Sequence, residues 1–339
     1  MRVATLTQNL RISSTLNTLQ DRIADAQLQV STGKKSQVYS GFDGEDSRRL
    51  ITLKEQRTTL ERYQSNIKAT EIRTEAIDAS MVAATDLVQD FRRRLYEQVE
   101  GLYDDSAPAL TTFATTAIQQ LNNFINVQSD IGYLFNGADT NVQPLLDKTT
   151  TDGLYAAHTF GAIGPGQPAM SAAGGATDII NFVTNFFASD GNWNNVTTPA
   201  PQNLSVRIDD NVDTSYGELG NDDGFEEVLE VMYAFANLNF TAGDDTAYQT
   251  LVNWGIGKLE AAFDVINTKV GENGVIQAQM QERVEAHRET VTLLESQILS
   301  IEDVEPYDAV SEFQTLQAQL EASFQTTRLI RNLSLSKFL

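Results

Sequence analysis

Apolar residues recur at steps of three and four near the start of the chain, which is the spacing of one face of an amphipathic helix. The first such pattern begins at Leu16 and stops at Gly33, where a glycine followed by two lysines is typical of a helix C-terminus. The polar, glycine-containing segment 36–47 predicts a loop. A second pattern then runs from Leu50 to Leu95 without a proline or glycine, so we predict one unusually long helix.

The end of the chain mirrors this arrangement. A long apolar pattern runs from Met280 to Ile301 and is interrupted at Pro306, because proline disfavours a helical residue before it. A last, shorter pattern begins at Val310. Since each apolar face must be buried, we predict antiparallel pairing within the chain, long helix with long helix and short with short. The predicted fold class is mainly α: a long antiparallel helical rod or coiled-coil bundle from both chain ends, with a small mixed α/β insert.

The charge distribution locates that insert. Residues 1–110 carry 15 basic and 16 acidic side chains, whereas 111–255 carry only Lys148 and Arg207 against 17 acidic ones. We interpret the middle as an outer domain with short strands at 154–155, 159–160 and 204–208, helices at 181–188 and 225–238, and a loop at 189–203. The predicted divisions are an N-terminal assembly helix, the two parts of the rod on either side of a variable insert, and a C-terminal assembly helix: 1–45, 46–145, 146–250, 251–305 and 306–339.

The two kinds of helix predict two kinds of apolar site. The paired long helices are expected to bury a rod core made of Ile67, Ile77, Met81, Val88, Phe91, Met280, Val284, Val291, Leu294 and Ile298. The terminal helices carry one apolar face each, followed by an apolar tail, and cannot shield themselves. We therefore expect them to be covered by other subunits through Leu16, Leu19, Ile23, Val30, Phe313, Leu316, Leu320, Phe324, Ile330, Leu333, Leu335, Phe338 and Leu339.

We find no pattern of catalysis, and predict no enzyme, no cofactor and no metal site. The chain has no cysteine, which removes thiol catalysis and cysteine-rich zinc sites. Its two histidines are too far apart for metal-ligand spacing: we expect His158 in an exposed loop and His287 in helix packing. The acidic segment 209–213 fails the pattern of a calcium loop, because Thr214 and Gly220 stand where glycine and glutamate are needed.

Charge and hydropathy exclude two further classes. The net charge of −22 disfavours nucleic acid, because phosphate binding needs a basic face. The sequence contains no apolar run long enough for membrane insertion, and the first residues do not resemble a Sec signal peptide. The basic run Arg92–Arg94 is either a solvated face or an ion-pair contact between subunits.

Several segments at both ends resemble the flagellin superfamily, and most closely its hook-associated protein 3 branch. The resemblance covers about two thirds of the chain and rests on Val30–Lys35, Asp43–Ser47, Leu60–Ile67, Gly132–Thr140, Leu316–Phe324 and Leu333–Leu339. Two patterns usual in flagellin, Asp-Asp-Ala-Ala-Gly at residues 43–47 and a Ser-Arg-Ile-x-Asp-Ala-Asp type run at 301–306, are missing here. The resemblance therefore favours the hook–filament junction branch over flagellin.

The resemblance implies an extracellular flagellar axial protein, exported unfolded by the flagellar type III apparatus without a cleaved signal peptide. Its expected partners are hook-associated protein 1, flagellin, copies of itself in a homo-oligomeric ring, and the flagellar export apparatus and its chaperone. In this family the terminal helices fold on assembly. Two alternatives stay open: a flagellin that builds the filament itself, and a surface adhesin or enzyme whose activity resides in the insert.

Overall fold

We describe the fold from a computed structural model of the chain. The backbone is described for residues 2–100, 103–170, 174–188, 193–198, 202–238 and 245–336. Side chains are described over the same residues except 2–9, 103–106, 194–195 and 330–336.

Long helices come from both ends of the chain, and short elements lie between them. In chain order the elements are α1 (Arg2–Thr32), α2 (Gly44–Glu97), α3 (Tyr103–Ile125), β1 (Gln128–Ser129), β2 (Gly132–Tyr133), α4 (Lys148–Ala157), α5 (Gly175–Phe187), α6 (Trp193–Val196), β3 (Leu204–Asp209), β4 (Val212–Tyr216), α7 (Asp223–Ala236), α8 (Asp245–Glu302) and α9 (Pro306–Ser336). The predicted mainly α fold, with long helices at both ends and a small mixed insert, is confirmed.

The predicted helix ends at Gly33 and Pro306 agree with the structure. Gly33 has a φ of +70°, a left-handed conformation that glycine adopts without steric cost, and it follows the last residue of α1. Pro306 is the first residue of α9, where its missing N–H would have no helical acceptor anyway. Helix α2 begins with Glu45 and Asp46 in its first turn, where carboxylates favour the positive end of the helix dipole.

The chain divides into two compact units. The first contains residues 1–61 and 287–339, and the second contains residues 62–286. In the first unit α1 packs against α9, and the start of α2 packs against the end of α8 through Leu50, Leu53, Leu294, Ile298 and Ile301.

The second unit has one large apolar core to which most of its helices contribute. Phe91 of α2, Ile118 of α3, Phe182 of α5, Tyr233 of α7 and Leu259 of α8 are all buried in it. The division of this region into rod and insert remains a prediction, but the described helices of the middle segment share this core with α2, α3 and α8.

A smaller cluster of the second unit lies under a two-stranded hairpin. Strands β3 and β4 pair antiparallel, and Asn211 makes the turn with a φ of 56°. Ile208 and Tyr216 of the hairpin pack on Ile67 of α2 and Met280 of α8. The strand predicted at 204–208 is therefore present.

Two predicted strands are wrong. Leu154 and Tyr155 lie in α4, which begins after Asp147, whose side chain accepts a hydrogen bond from the amide of Thr150. The second predicted strand, 159–160, contributes only an isolated bridge between Phe160 and Ile163. The segment 189–203, predicted as a loop, contains the short helix α6 among its described residues.

The residues expected in the rod core fall into three separate clusters. Four of them lie in the large core, namely Ile77, Met81, Val88 and Phe91. Three lie under the β3–β4 hairpin, namely Ile67, Met280 and Val284, and two lie in the first unit, namely Leu294 and Ile298. Val291 is half-buried.

The aromatic cluster at α5 yields the first prediction. The ring of Phe182 is fully buried and lies 5.5 Å from the ring of Tyr155, so Phe182→Ala should lower the free energy of unfolding by about 3–5 kcal/mol. Ile131→Ala, at a side chain that is 52 % exposed, is the control and should change it by less than about 0.5 kcal/mol. Urea denaturation followed by circular dichroism measures both. Equal effects of the two substitutions would show that α5 does not belong to the core.

Candidate assembly site: the paired terminal helices

Helices α1 and α9 form an antiparallel pair, the terminal hairpin, whose inner face is apolar over only part of its length. Leu19 and Ala26 of α1 and Leu316 of α9 are buried between the two helices. Partly buried side chains flank them, namely Ile23, Phe313 and Leu320. The sequence predicts that the two short helices pair within the chain, and this pairing covers the apolar face of each.

Further along the pair the α9 side of the inner face becomes small and polar. A groove of about 320 Å³ opens there, lined by Arg11, Ile12, Thr15, Leu16, Ala322, Ser323, Thr326 and Thr327. Because the small and hydroxyl-bearing side chains of α9 leave this groove beside Ile12 and Leu16, this part of the pair gains less from apolar burial than the part around Leu316.

Large apolar side chains point outward from the same hairpin. Phe324 is 50 % exposed and Leu329 is 62 % exposed, although their neighbours Ser323 and Thr327 line the groove. The other exposed large hydrophobic residues of the two helices are Leu10, Leu28, Val30, Tyr307 and Val310. Large apolar side chains that stay exposed on a helix pair are typical of a surface that a partner covers.

The residues predicted for subunit assembly therefore have different surroundings. Val30 and Phe324 are exposed, Leu16, Ile23, Phe313 and Leu320 are half-buried, and Leu19 and Leu316 are buried inside the chain's own hairpin. The burial of the last two agrees with the predicted pairing of the two short helices within the chain, and the contact of this set with other subunits stays a prediction. The side chains of Ile330, Leu333 and Leu335, and all of Phe338 and Leu339, lie outside the described residues.

The predicted assembly set omits five of the exposed apolar residues: Val310, although it begins the last apolar pattern, and four others, Leu10, Leu28, Tyr307 and Leu329. These four stand off the main periodic face, and an isolated apolar residue on a polar face is ordinary at a protein surface. Their common signal is that each occurs on a helix whose inner face is short of apolar residues.

The two helix breaks of the first unit meet each other and hold the base of the hairpin. The amide of Lys35 donates to the carbonyl of Glu302 at 2.7 Å, and the amide of Val304 donates to the carbonyl of Gly33 at 2.9 Å. These two hydrogen bonds join the turn after α1 to the turn between α8 and α9. Lys34 and Asp303 also form an isolated antiparallel β-bridge.

A buried ion cluster lies at this junction. Glu302 is only 5 % exposed, accepts from the Nζ of Lys34 at 2.8 Å and also accepts from the Nζ of Lys54. The Nζ of Lys35 donates to the carbonyl of Ile301 at 3.0 Å. Burial by itself would raise the pKa of Glu302, but the hydrogen bonds from Lys34 and Lys54 outweigh it and hold the pKa below its ordinary value.

The two histidines and the basic run Arg92–Arg94 lie in structural rather than catalytic surroundings. His158, expected in an exposed loop, is half-buried with its ring 4.8 Å from that of Phe182, and burial lowers its pKa. His287 is buried, as its helix-packing position predicts. Of the basic run, Arg93 and Arg94 pair with Asp90 of the same helix, which favours an intrahelical role over a contact between subunits.

The described part of the chain contains neither a candidate metal site nor a candidate membrane-spanning helix. Its His, Asp and Glu side chains form no group of three that could hold a metal ion. Its helices also include none that is both long and apolar enough to cross a bilayer.

The buried ion cluster predicts a pH dependence. Because the pKa of Glu302 is lower in the folded chain than in the unfolded one, its contribution is complete above pH 4.5 and is lost as the pH falls through the folded-state value. Glu302→Gln should lower the stability of the hairpin by about 1.5–3 kcal/mol near neutral pH and remove this acid sensitivity.

Glu312→Gln is the matched control, because Glu312 pairs with Arg22 at 3.2 Å on an exposed surface. Its cost should stay under about 1 kcal/mol. Hydrogen exchange of the α1 amides, at about pH 7 and about pH 4, measures both variants. If Glu302→Gln and Glu312→Gln exchange alike at both pH values, the cluster does not stabilise the junction.

Comparison with known proteins gives two findings. Residues 256–339 match the family described as the bacterial flagellin C-terminal helical region. This range contains most of α8 and all of α9, and thus one of the two helices of the terminal hairpin. No curated protein matches the chain.

Two solved structures illustrate the structural likeness. A putative flagellar hook-associated protein from Vibrio parahaemolyticus matches with a TM-score of 0.53 and 12 % identity, covering 76 % of this chain and 97 % of that one. FlgL of Bacillus cereus matches with a TM-score of 0.38 and 9 % identity, over 73 % of this chain and 93 % of that one, which is too low to indicate a common fold. The chain is therefore flagellin-like in its C-terminal helical region, on a fold similar to that of the Vibrio protein.

Proposed function

We propose that the chain is a structural subunit of the bacterial flagellum, without enzymatic activity, that assembles through the outward face of its terminal hairpin. The observation that carries this proposal is the exposed apolar set that includes Phe324 and Leu329, on a helix α9 whose groove-lining residues are small or polar. The flagellin C-terminal match covers the same helix α9, which agrees with an assembly role for it.

Within the flagellum, we propose the junction between hook and filament as the position of this protein. The segments 43–47 and 301–306 lack the patterns usual in flagellin, and the similar Vibrio structure is that of a putative flagellar hook-associated protein. The proposed partners are copies of the chain itself in a ring, hook-associated protein 1 on one side and flagellin on the other. The flagellar export apparatus and a chaperone would deliver the subunit to this extracellular position.

The alternative function, an adhesin or enzyme whose activity resides in the middle segment, is less favoured. The described helices of that segment contribute their apolar side chains to a core shared with α2, α3 and α8. Such a shared core fits a structural role for the segment, because a separately functioning module normally has a core of its own.

The outward face generates the first test of assembly. Changing both Phe324 and Leu329 to Ser should leave the melting temperature of the free chain nearly unchanged, because exposed positions contribute less than about 0.5 kcal/mol. Each buried Leu or Phe in the assembly is worth about 1.5–3 kcal/mol, and a ring repeats the contact, so the variant should not be incorporated.

Gln325→Ser, at an exposed polar residue between them, is the matched control and should assemble normally. Both variants are followed by melting of the purified protein, by its amount in the culture medium and by its amount in isolated flagella. A double variant that is exported and incorporated like the control would refute the proposed surface. By the same physical argument we expect Leu333, Leu335, Phe338 and Leu339 to be covered in the assembly.

The position at the junction is tested by deleting the gene. A junction subunit joins the hook to the filament, so its loss should leave bare hooks in place and release flagellin into the medium. A filament subunit would behave differently: its loss should remove the main protein of the filament fraction, and its copy number in intact flagella should be in the thousands. Electron microscopy of the hooks and quantitation of flagellin in the medium distinguish the two.

A further inference from the structure

A buried arginine of the second unit has charge that no described group neutralises. Arg73 of α2 is only 3 % exposed, and its Nε, Nη1 and Nη2 atoms make no hydrogen bond within the described residues. The ring of Tyr216 lies over it, with 5.9 Å between the guanidinium carbon and the ring centroid, which is near the outer limit of a cation–π contact. An uncompensated buried guanidinium is costly, so its environment needs an explanation.

Polar groups of α8 lie at the same level of the helix pair as Arg73. The side-chain amide of Asn273 donates to the carbonyl of Thr74 at 2.9 Å, which sets α8 beside α2 at this level. One turn further along α8, the Nε2 of Gln277 is buried and has no acceptor among the described residues. Thr70 and Thr74 of α2 are buried next to Arg73, and the hydroxyl groups of both donate to carbonyls of their own helix.

Donors therefore exceed acceptors in this layer, and the excess carries one positive charge. Two carboxylates on the covering hairpin and just after it pair with other cations. Glu218 lies 3.6 Å from the Nζ of Lys269, and Asp209 pairs with Arg283 at 3.3 Å. Of the described acceptors in the layer, the Oδ1 of Asn273 is itself without a donor, and one neutral oxygen cannot balance a guanidinium.

We infer that Arg73 and Gln277, covered by Tyr216 of the β3–β4 hairpin, form a binding site for a small monovalent anion of the size of chloride. One buried positive charge is neutralised by one negative charge, and a compact ion needs the least space between two helices and a hairpin. The bound anion fastens the hairpin to α2 and α8. This inference is independent of the proposed flagellar role, because it concerns the second unit alone.

The test is the melting temperature of the full chain as chloride replaces gluconate at constant ionic strength. Raising chloride from about 5 mM to about 500 mM should raise the melting temperature of the unmodified chain by about 2–4 °C, since a ligand that binds only the folded state stabilises it by mass action. Arg73→Met removes the charge and keeps the apolar stem, so its melting temperature should not respond to chloride. In gluconate it should exceed that of the unmodified chain.

Arg92→Met is the matched control. Arg92 also lies on α2 over an aromatic ring, with its guanidinium carbon 5.5 Å from the centroid of Phe263, so this variant should keep the chloride response. Gln277→Leu should weaken the response, and this variant serves if Arg73→Met does not fold. A crystal of the unmodified chain grown in bromide should show an anomalous peak beside Arg73.

The inference is overturned if the unmodified chain melts at the same temperature in chloride and gluconate. It is equally overturned if Arg73→Met responds to chloride as the unmodified chain does, or if the bromide crystal has no anomalous peak at this site.

Discussion

The first unit depends on a buried carboxylate that joins two breaks in the helical pattern. Glu302 is held between Lys34 and Lys54, and the adjacent backbone amides and carbonyls of Gly33, Lys35 and Val304 bond across the same junction. Without these contacts α1 and α9 would have only a few apolar residues to keep them paired. Since an isolated helix is marginal in water, the junction determines whether the terminal helices stay together.

The terminal hairpin combines a weak inner face with an apolar outer face. Leu19, Ala26 and Leu316 fill one part of the interior, while the groove beyond them is lined by residues such as Thr15 and Ser323. The outer apolar residues of the hairpin gain most of their burial energy only when another surface covers them. This division of burial between the free chain and the assembly is the physical basis of the proposed function.

Local signals in the sequence predict helix ends well and tertiary neighbours poorly. Gly33 and Pro306 act through their own backbone preferences, so their effects can be predicted without knowledge of the fold. The strand predicted at 154–155 is wrong because Tyr155, a residue type that favours strands, lies in a helix whose start is set by Asp147, a typical N-cap residue. Leu19 and Val30 belong to one periodic stripe, yet one is buried and the other exposed, because the facing helix covers only part of the stripe.

The same limit applies to the candidate site, because the ion cluster is formed by tertiary neighbours that the sequence does not predict. Glu302 is visible in the sequence as part of a helix stop, but its partners Lys34 and Lys54 are 268 and 248 residues away. No spacing rule connects residues so distant, and only the antiparallel return of α8 and α9 brings them together. The buried Arg73 is hidden for a similar reason, since an arginine in a long amphipathic helix is ordinarily solvated.

The central claim is that the outer face of the terminal hairpin contacts another copy of the chain in the flagellum. Site-specific photo-cross-linking tests it directly, with p-benzoylphenylalanine placed at Phe324 on the outer face or at Leu316 on the inner one. In isolated flagella the account predicts a cross-linked dimer of the chain from position 324 and none from position 316. A dimer from position 316, or no dimer from position 324 in a chain that is incorporated, would contradict it.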